Sequence, residues 1–227
     1  MELISATDIG IRREENQDNY WCARFDVLGR EVGVVCVCDG MGGLSDGGLA
    51  SRIVVQAVRE FFKTSIDSTG LIEVLKDTNK EIYDRGIKSG RKMGTTCTIL
   101  ICDDGKFKVL HVGDSRCYVI MDKEVRILTT DHSVVKQYGI TMESRPDLYK
   151  KYRSSLTRCM GAKPDVTIDV IEGKYINGDK FIVCSDGFWH YLDRRGKFND
   201  IDDLRKVISE CIDNGETDNI TAGVLKV

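Results

Sequence analysis

Apolar positions arrive in two rhythms along this chain. Glu2 to Asp8 reads as a short first strand, and Gly10 begins a polar turn. Asn19 to Phe25 is a second strand, and Gly29 marks a hairpin turn before Glu31–Cys38. The rhythm then changes. Leu49, Ala50, Ile53, Val54, Ala57, Val58 and Phe61 recur at three- and four-residue spacing, opposite Arg52, Gln56, Arg59 and Glu60. That is the stripe of an amphipathic helix. A second helix is predicted over about Leu71 to Lys88, with Ile72, Leu75, Asn79 and Ile82 on one side and Gly90 as its stop.

Strands follow in quick succession at Thr95–Cys102, Phe107–Val112, Cys117–Met121 and Val125–Leu128. The turns between them, such as Asp103-Asp104-Gly105 and Asp122-Lys123-Glu124, are short enough to imply antiparallel hairpins. Yet Thr98-Ile99-Leu100-Ile101 and the run Val34 to Cys38 are almost continuously apolar. A strand with one wet face alternates, so these strands must be covered on both faces. The predicted fold is α+β, an α/β/β/α sandwich of two packed antiparallel sheets flanked by helices.

His132 to Asp165 is the least regular region and holds both prolines, Pro146 and Pro164; it reads as a short helix plus a loop or flap. Val166–Ile171 and Lys180–Cys184 are further strands. A last helix covers about Ile201 to Asp213, with Asp200 as its N-cap and Ile201, Leu204, Val207, Ile208 and Cys211 inward. Ile220–Val227 closes the chain. There is no repeat and no linker, so residues 1–227 are expected to form one domain.

Composition narrows the classes. The net charge is −3, with 33 Lys and Arg nearly balancing 36 Asp and Glu, and no run of five basic residues occurs. A nucleic-acid footprint is therefore not expected. No apolar stretch reaches the ~18–20 residues a membrane span needs, and the N-terminus lacks a signal peptide's basic region. Of nine cysteines, Cys36, Cys38, Cys97, Cys102, Cys117 and Cys184 sit inside apolar runs. Buried free thiols fit a reducing compartment, so the expected location is the cytoplasm.

The apolar run Val34–Cys38 stops at a single carboxylate and continues Asp39-Gly40-Met41-Gly42-Gly43. Such an edge can hold a cation, because glycine lets backbone approach closely and a carbonyl can serve as a further ligand. Alone, it reads equally well as an ordinary turn. The pattern recurs, however. Asp186 also closes an apolar strand before glycine, Asp18 and Asp218 each precede a strand in similar company, and Asp114 lies at another strand end. Carboxylates converging in one cleft repel and raise each other's pKa, a cost that a pair of hard divalent cations removes. No cluster of His accompanies them, so zinc is disfavoured against Mg²⁺ or Mn²⁺.

With these residues in place, the chain resembles the metal-dependent protein phosphatases (PPM, type 2C) in their bacterial form, over essentially its whole length. The motifs come in the family's order. They are Gly10-x-x-Arg13-x-x-Asn16-Gln17-Asp18, Asp39-Gly40-Met41-Gly42-Gly43, Gly94-Thr95-Thr96 and Val112-Gly113-Asp114-Ser115-Arg116. Thr130-Asp131-His132-Ser133, Leu156-Thr157-Arg158-x-x-Gly161, Ser185-Asp186-Gly187 and Asp218-Asn219-Ile220-Thr221 follow.

The resemblance implies the same sandwich fold and hydrolysis of phosphoserine and phosphothreonine in proteins. Two Mn²⁺ or Mg²⁺ ions would be bridged by Asp39, with the Gly40 carbonyl on one ion. Asp186 and Asp218 would complete the set, Asp18 would hold coordinated water, and Asp114 with Asp186 matches a third, weaker site. Arg13 matches the arginine that grips the substrate phosphate, a task suited to a planar two-pronged donor. The implied chemistry is direct in-line attack of a metal-bridging hydroxide, without a phosphoenzyme. Phosphoprotein substrates, those of a Ser/Thr kinase, are the implied partners, and a monomer is expected.

The departures matter too. Gln17, an amide that brings no charge toward the metals, stands where the family often has Glu. Met41 stands where eukaryotic members often carry His, so the acid for the leaving group is unassigned. Gln17 keeps open a rival, a non-catalytic phosphosensor on the same fold, and the motifs do not exclude a small phosphate-ester hydrolase. His111 and His132 read as structural and His190 as surface, and Asp8 and Asp131 as turn or capping residues. Arg12 reads as solvated, and Ser115 and Arg116 as packing or structural. The run Arg145–Arg153 in the flap reads either as a basic, tyrosine-bearing contact for substrate or regulator, or as a solvated loop.

Overall fold

The computed structural model describes residues 1–27, 29–41, 46–66, 68–122, 124–195 and 201–227. Among the described residues, ten strands run Glu2–Asp8 (β1), Asn19–Val27 (β2), Arg30–Cys38 (β3), Cys97–Asp103 (β4), Lys106–Val112 (β5), Arg116–Met121 (β6), Glu124–Ile127 (β7), Asp169–Lys174 (β8), Lys180–Cys184 (β9) and Ile220–Lys226 (β10). The helices among them run Gly47–Phe61 (α1), Ser68–Ser89 (α2), Val134–Gln137 (α3), Pro146–Tyr152 (α4), Asp186–Arg195 (α5) and Leu204–Asp213 (α6).

The strands form two five-stranded sheets, ordered β1-β10-β9-β6-β7 and β2-β3-β4-β5-β8. Every strand pairing in them is antiparallel. The apolar runs show why. On β3, Val35 and Val37 face the other sheet and, together with Leu100 of the neighbouring β4, meet Phe181, Val183 and Leu225. Val34, Cys36 and Cys38 face the opposite way, into the layer made by α1 and α2 with Val54, Val58, Leu71 and Leu75. On β9 the same alternation sends Ile182 and Cys184 toward Phe188, Leu192, Leu204 and Ile208 of α5 and α6. Period-two geometry with apolar residues on both faces yields helix, sheet, sheet, helix. The predicted α/β/β/α sandwich is the observed architecture.

Several elements differ from the sequence reading, the flap among them, which holds two short helices where one was expected. The strand expected at Val166–Ile171 lies at Asp169–Lys174, in register with β5 from His111↔Asp169 to Lys106↔Lys174. Val166 and Ile168 instead pack against the helix-side core from the preceding segment, so apolar character there signalled burial and not pairing. Helix α5 was not predicted, because Asp186-Gly187 reads as a turn. The expected cap Asp200 lies outside the described residues. The observed cap of α6 is Asp203, whose carboxylate accepts from the Lys206 backbone N–H at 3.1 Å.

All nine cysteines lie among the described residues, and none is in a disulfide. Among the described residues, no helix is long and apolar enough to cross a membrane. The flap contains α3 and α4, joined at its base by the bridge Ser133↔Leu156.

Candidate metal centre

One end of the sandwich collects the ends of β3, β5 and β9 with the starts of β2 and β10. Asp39 follows the last residue of β3, and its backbone is clamped by Thr96: Asp39 N–H donates to Thr96 Oγ1 at 2.8 Å and Thr96 N–H to Asp39 O at 2.9 Å. Gly40 then passes so close to neighbouring backbone that a Cβ would stand 2.5 Å from the Gln17 carbonyl oxygen and 2.6 Å from Gly47. Only glycine fits there. The rest of that motif, Gly42 and Gly43, lies outside the described residues.

Asp18 is 6% exposed. Its Oδ2 accepts from Ser185 Oγ at 2.7 Å. Asp114 is 9% exposed and follows Gly113, whose φ of +113° is glycine territory. The Gly113 N–H donates to His132 Nδ1 at 3.0 Å, so the proton of that ring sits on Nε2, which lies 3.0 Å from Asp169 Oδ2. Arg158 pairs with the same Asp169. His132 thereby locks the loop carrying Asp114 to β8 and the flap base. His111 packs its ring at a tilt against that of His132 and is itself satisfied by Thr98 and Thr130.

Asp186 opens α5 and contacts Asp39. Asp218 precedes β10 and takes both prongs of Arg13, Nε at 2.8 Å and Nη2 at 2.6 Å. Arg13 is therefore at the site, with its fork on a carboxylate. Asp131, read as a capping residue, pairs with both prongs of Arg116.

Burial and neighbouring carboxylates act together on these side chains. Burial pushes the Asp39 carboxyl well above the ordinary range, and the charges of Asp18, Asp186, Asp114 and Asp218 push it further. Burial, with the charges of Asp186 and Asp218, raises Asp18 to about 7. Burial, with Asp186 and Asp131, raises Asp114 to about 8. Asp186 is raised as well, first by burial. Among the described residues, Asp18 Oδ1, Asp186 Oδ1 and Gln17 Oε1 are buried with no hydrogen-bond partner.

Apart from Arg13 on Asp218, this set of crowded carboxylates with orphaned oxygens is short of positive charge, and divalent cations with oxygen preference supply it. No three of the described His, Cys, Asp or Glu side chains already close on one point. The residues fit the group.

Helix α5 contributes more than Asp186. The Trp189 indole N–H donates to the Asp114 carbonyl at 2.9 Å, and the Arg116 guanidinium lies 3.5 Å over its ring. His190, read as a surface residue, is half-buried and 3.6 Å from Glu216. Burial lowers the His190 pKa, but Glu216 and the charges of Asp186 and Asp114 outweigh it and raise the group above its ordinary value. Burial likewise opposes ionisation of Glu216, yet His190 and two backbone N–H groups bring its pKa below the ordinary value. Sequence reasoning missed Trp189, His190 and Glu216. The usable signal was the spacing Phe188, Tyr191, Leu192, which marks a helix and puts His190 one turn beyond Asp186.

A family model described as protein phosphatase 2C matches residues 11–222. The serine/threonine phosphatase stp of Listeria innocua is 30% identical over 234 residues, covering 95% of this chain and 91% of that one. A serine/threonine phosphatase structure from S. agalactiae aligns with a TM-score of 0.83 at 27% identity, over 100% of this chain and 99% of that one. The catalytic domain of the phosphatase PstP, solved with two manganese ions, aligns with a TM-score of 0.79 over 98% of this chain and 96% of that one. At 21% identity that last likeness is one of fold. The match of motifs, sandwich and acidic cleft has one conclusion: the chain belongs to the protein phosphatase 2C family.

Proposed function

We infer that this chain is a metal-dependent phosphatase that removes phosphate from phosphoserine and phosphothreonine of proteins. The observation that carries the reading is the cleft itself. Buried carboxylates with raised pKa values and partnerless oxygens converge where the family's motifs end. Asp39, the Gly40 carbonyl, Asp186 and Asp218 would hold two Mn²⁺ or Mg²⁺ ions. Asp18 would orient metal-held water, and Asp114 with Asp186 would take a third ion. Bound there, such ions act as Lewis acids that activate water and neutralise phosphoryl charge.

The chain's own residues do the rest. Arg13 reaches the cleft from a surface loop, and its fork, which already holds a carboxylate in two bonds, suits phosphate oxygens equally. Ser185 and Asn219 hold the acidic segments in place: Asn219 accepts from the Gln17 N–H at 2.9 Å and donates to the Ile9 and Glu15 carbonyls. We further read residues 1–227 as one catalytic domain, monomeric and cytoplasmic, acting on the products of a Ser/Thr kinase.

Hydrolysis of a phosphothreonine peptide, with Mn²⁺ and with EDTA, tests the reading alongside Asp39→Asn. The expected result is Mn²⁺-dependent turnover that falls by about 10³-fold or more in the variant. Folded protein without Mn²⁺-dependent turnover would sink the catalytic reading and favour a phosphopeptide-binding module, the alternative raised by Gln17.

A further inference from the structure

Asp218 lies on the turn 216–219 between α6 and β10, and that turn has an anchor of its own. Glu216 is only 7% exposed. Its Oε1 accepts from the backbone N–H of Thr217 at 2.9 Å and of Asp218 at 3.2 Å. Its other oxygen lies 3.6 Å from His190 Nδ1. His190 stands one helical turn beyond Asp186 on α5. A single carboxylate thus ties the segment bearing Asp218 to the helix bearing Asp186.

Burying a carboxylate in a turn is costly unless its oxygens are well satisfied. An exposed polar residue would serve a plain connection at no such cost. We propose that Glu216, backed by His190, is a positioning residue that holds Asp218 in a fixed orientation relative to Asp186 and so sets the affinity of the site for divalent cations. The inference rests on the reading of Asp186 and Asp218 as metal ligands. The carboxylate acts on the backbone: two N–H groups directed at one oxygen fix the rotation of the 217–218 peptides, and with it the direction in which Asp218 leaves the turn. His190 in turn fixes where that oxygen pair can sit, because α5 is held by Trp189 on the Asp114 carbonyl.

The test is calorimetric titration of Mn²⁺ into wild type, Glu216→Ala, Glu216→Gln, His190→Ala and Asp218→Asn, with the melting temperature of each. Outer residues that orient ligands typically matter by 10–100-fold, so Glu216→Ala is expected to weaken Mn²⁺ binding by about tenfold or more. Glu216→Gln keeps an oxygen for both N–H groups and is expected to stay within about threefold of wild type. His190→Ala should fall between them.

A lower melting temperature with Mn²⁺ affinity unchanged in Glu216→Ala means a structural role only, and overturns the proposal. A nitrogen coupling in the Mn²⁺ electron paramagnetic resonance spectrum overturns it too, by making His190 a ligand. If Asp218→Asn binds Mn²⁺ as wild type does, the ligand assignment itself fails, a distinct result. Should Glu216→Ala not fold, His190→Ala decides. Affinity equal to wild type overturns the brace, and several-fold weaker binding with Glu216→Gln preserved supports it.

Discussion

At the scale of single residues, the site is governed by charge that has been taken out of water. Asp18 and Asp114 are raised from 3.8 to about 7 and about 8, by burial first and neighbouring carboxylates after it. The unfolded chain ionises both near 3.8, so between about pH 6.5 and 8 the folded protein keeps protons that the unfolded chain has released. Stability then falls as pH rises through that window. His111, lowered to about 4 by burial, acts in the opposite direction but below its ordinary value of 6.5, outside most of the window. In EDTA the melting temperature is therefore expected to drop between about pH 6.5 and 8, and Mn²⁺ should abolish the drop by compensating the carboxylates. A melting temperature flat with pH in EDTA would contradict the crowding. The carboxylates were legible in the sequence because each ends or begins an apolar strand. The partners of Arg13 and Glu216 were not, because Arg13 and Asp218 meet across 205 residues of chain.

Among the elements, α5 is the one that organises the centre and the one that periodicity alone hid. Its N-terminus runs so close to the 218–219 segment that a Cβ on Gly187 would stand 2.2 Å from the Asn219 carbonyl oxygen. Gly187→Ala must push that backbone aside. The expected outcome is a loss of about 1–3 kcal/mol in urea unfolding together with weaker Mn²⁺ binding. An unchanged midpoint would show that the helix and the turn are less tightly joined than the geometry states. The flap is the contrasting element. Lys150, Lys151 and Arg153 are exposed, and on the reading of this flap as a substrate contact their joint replacement by Ala should raise KM for a phosphoprotein more than for a small aryl phosphate. Equal effects on both would make it a solvated loop.

For the molecule as a whole, the two sheets share a central layer of Val35, Val37, Leu100, Val109, Phe181, Val183 and Leu225, while each also has its own helix-side core. Leu100 is fully buried in that shared layer. Leu100→Ala is expected to cost about 2–5 kcal/mol by transfer and cavity terms. If residues 1–227 are one domain, unfolding in denaturant should remain a single transition for both wild type and variant. Two transitions would separate the sheets into independent units.

The sequence by itself determined the layers and the identity of the acidic residues. Apolar runs on β3 and β4 can only be strands covered on both faces, and short polar turns between strands can only be hairpins, so the sandwich follows from local pattern. The strand-end carboxylates follow in the same way, since one charge after five apolar residues has to emerge at a sheet edge. Only the tertiary structure decided what those carboxylates touch. The register of β8, the helix at Asp186, the fork of Arg13 on Asp218 and the seat of Glu216 against His190 depend on contacts between distant segments. Residues that lie next to one another only after folding leave no period in the sequence.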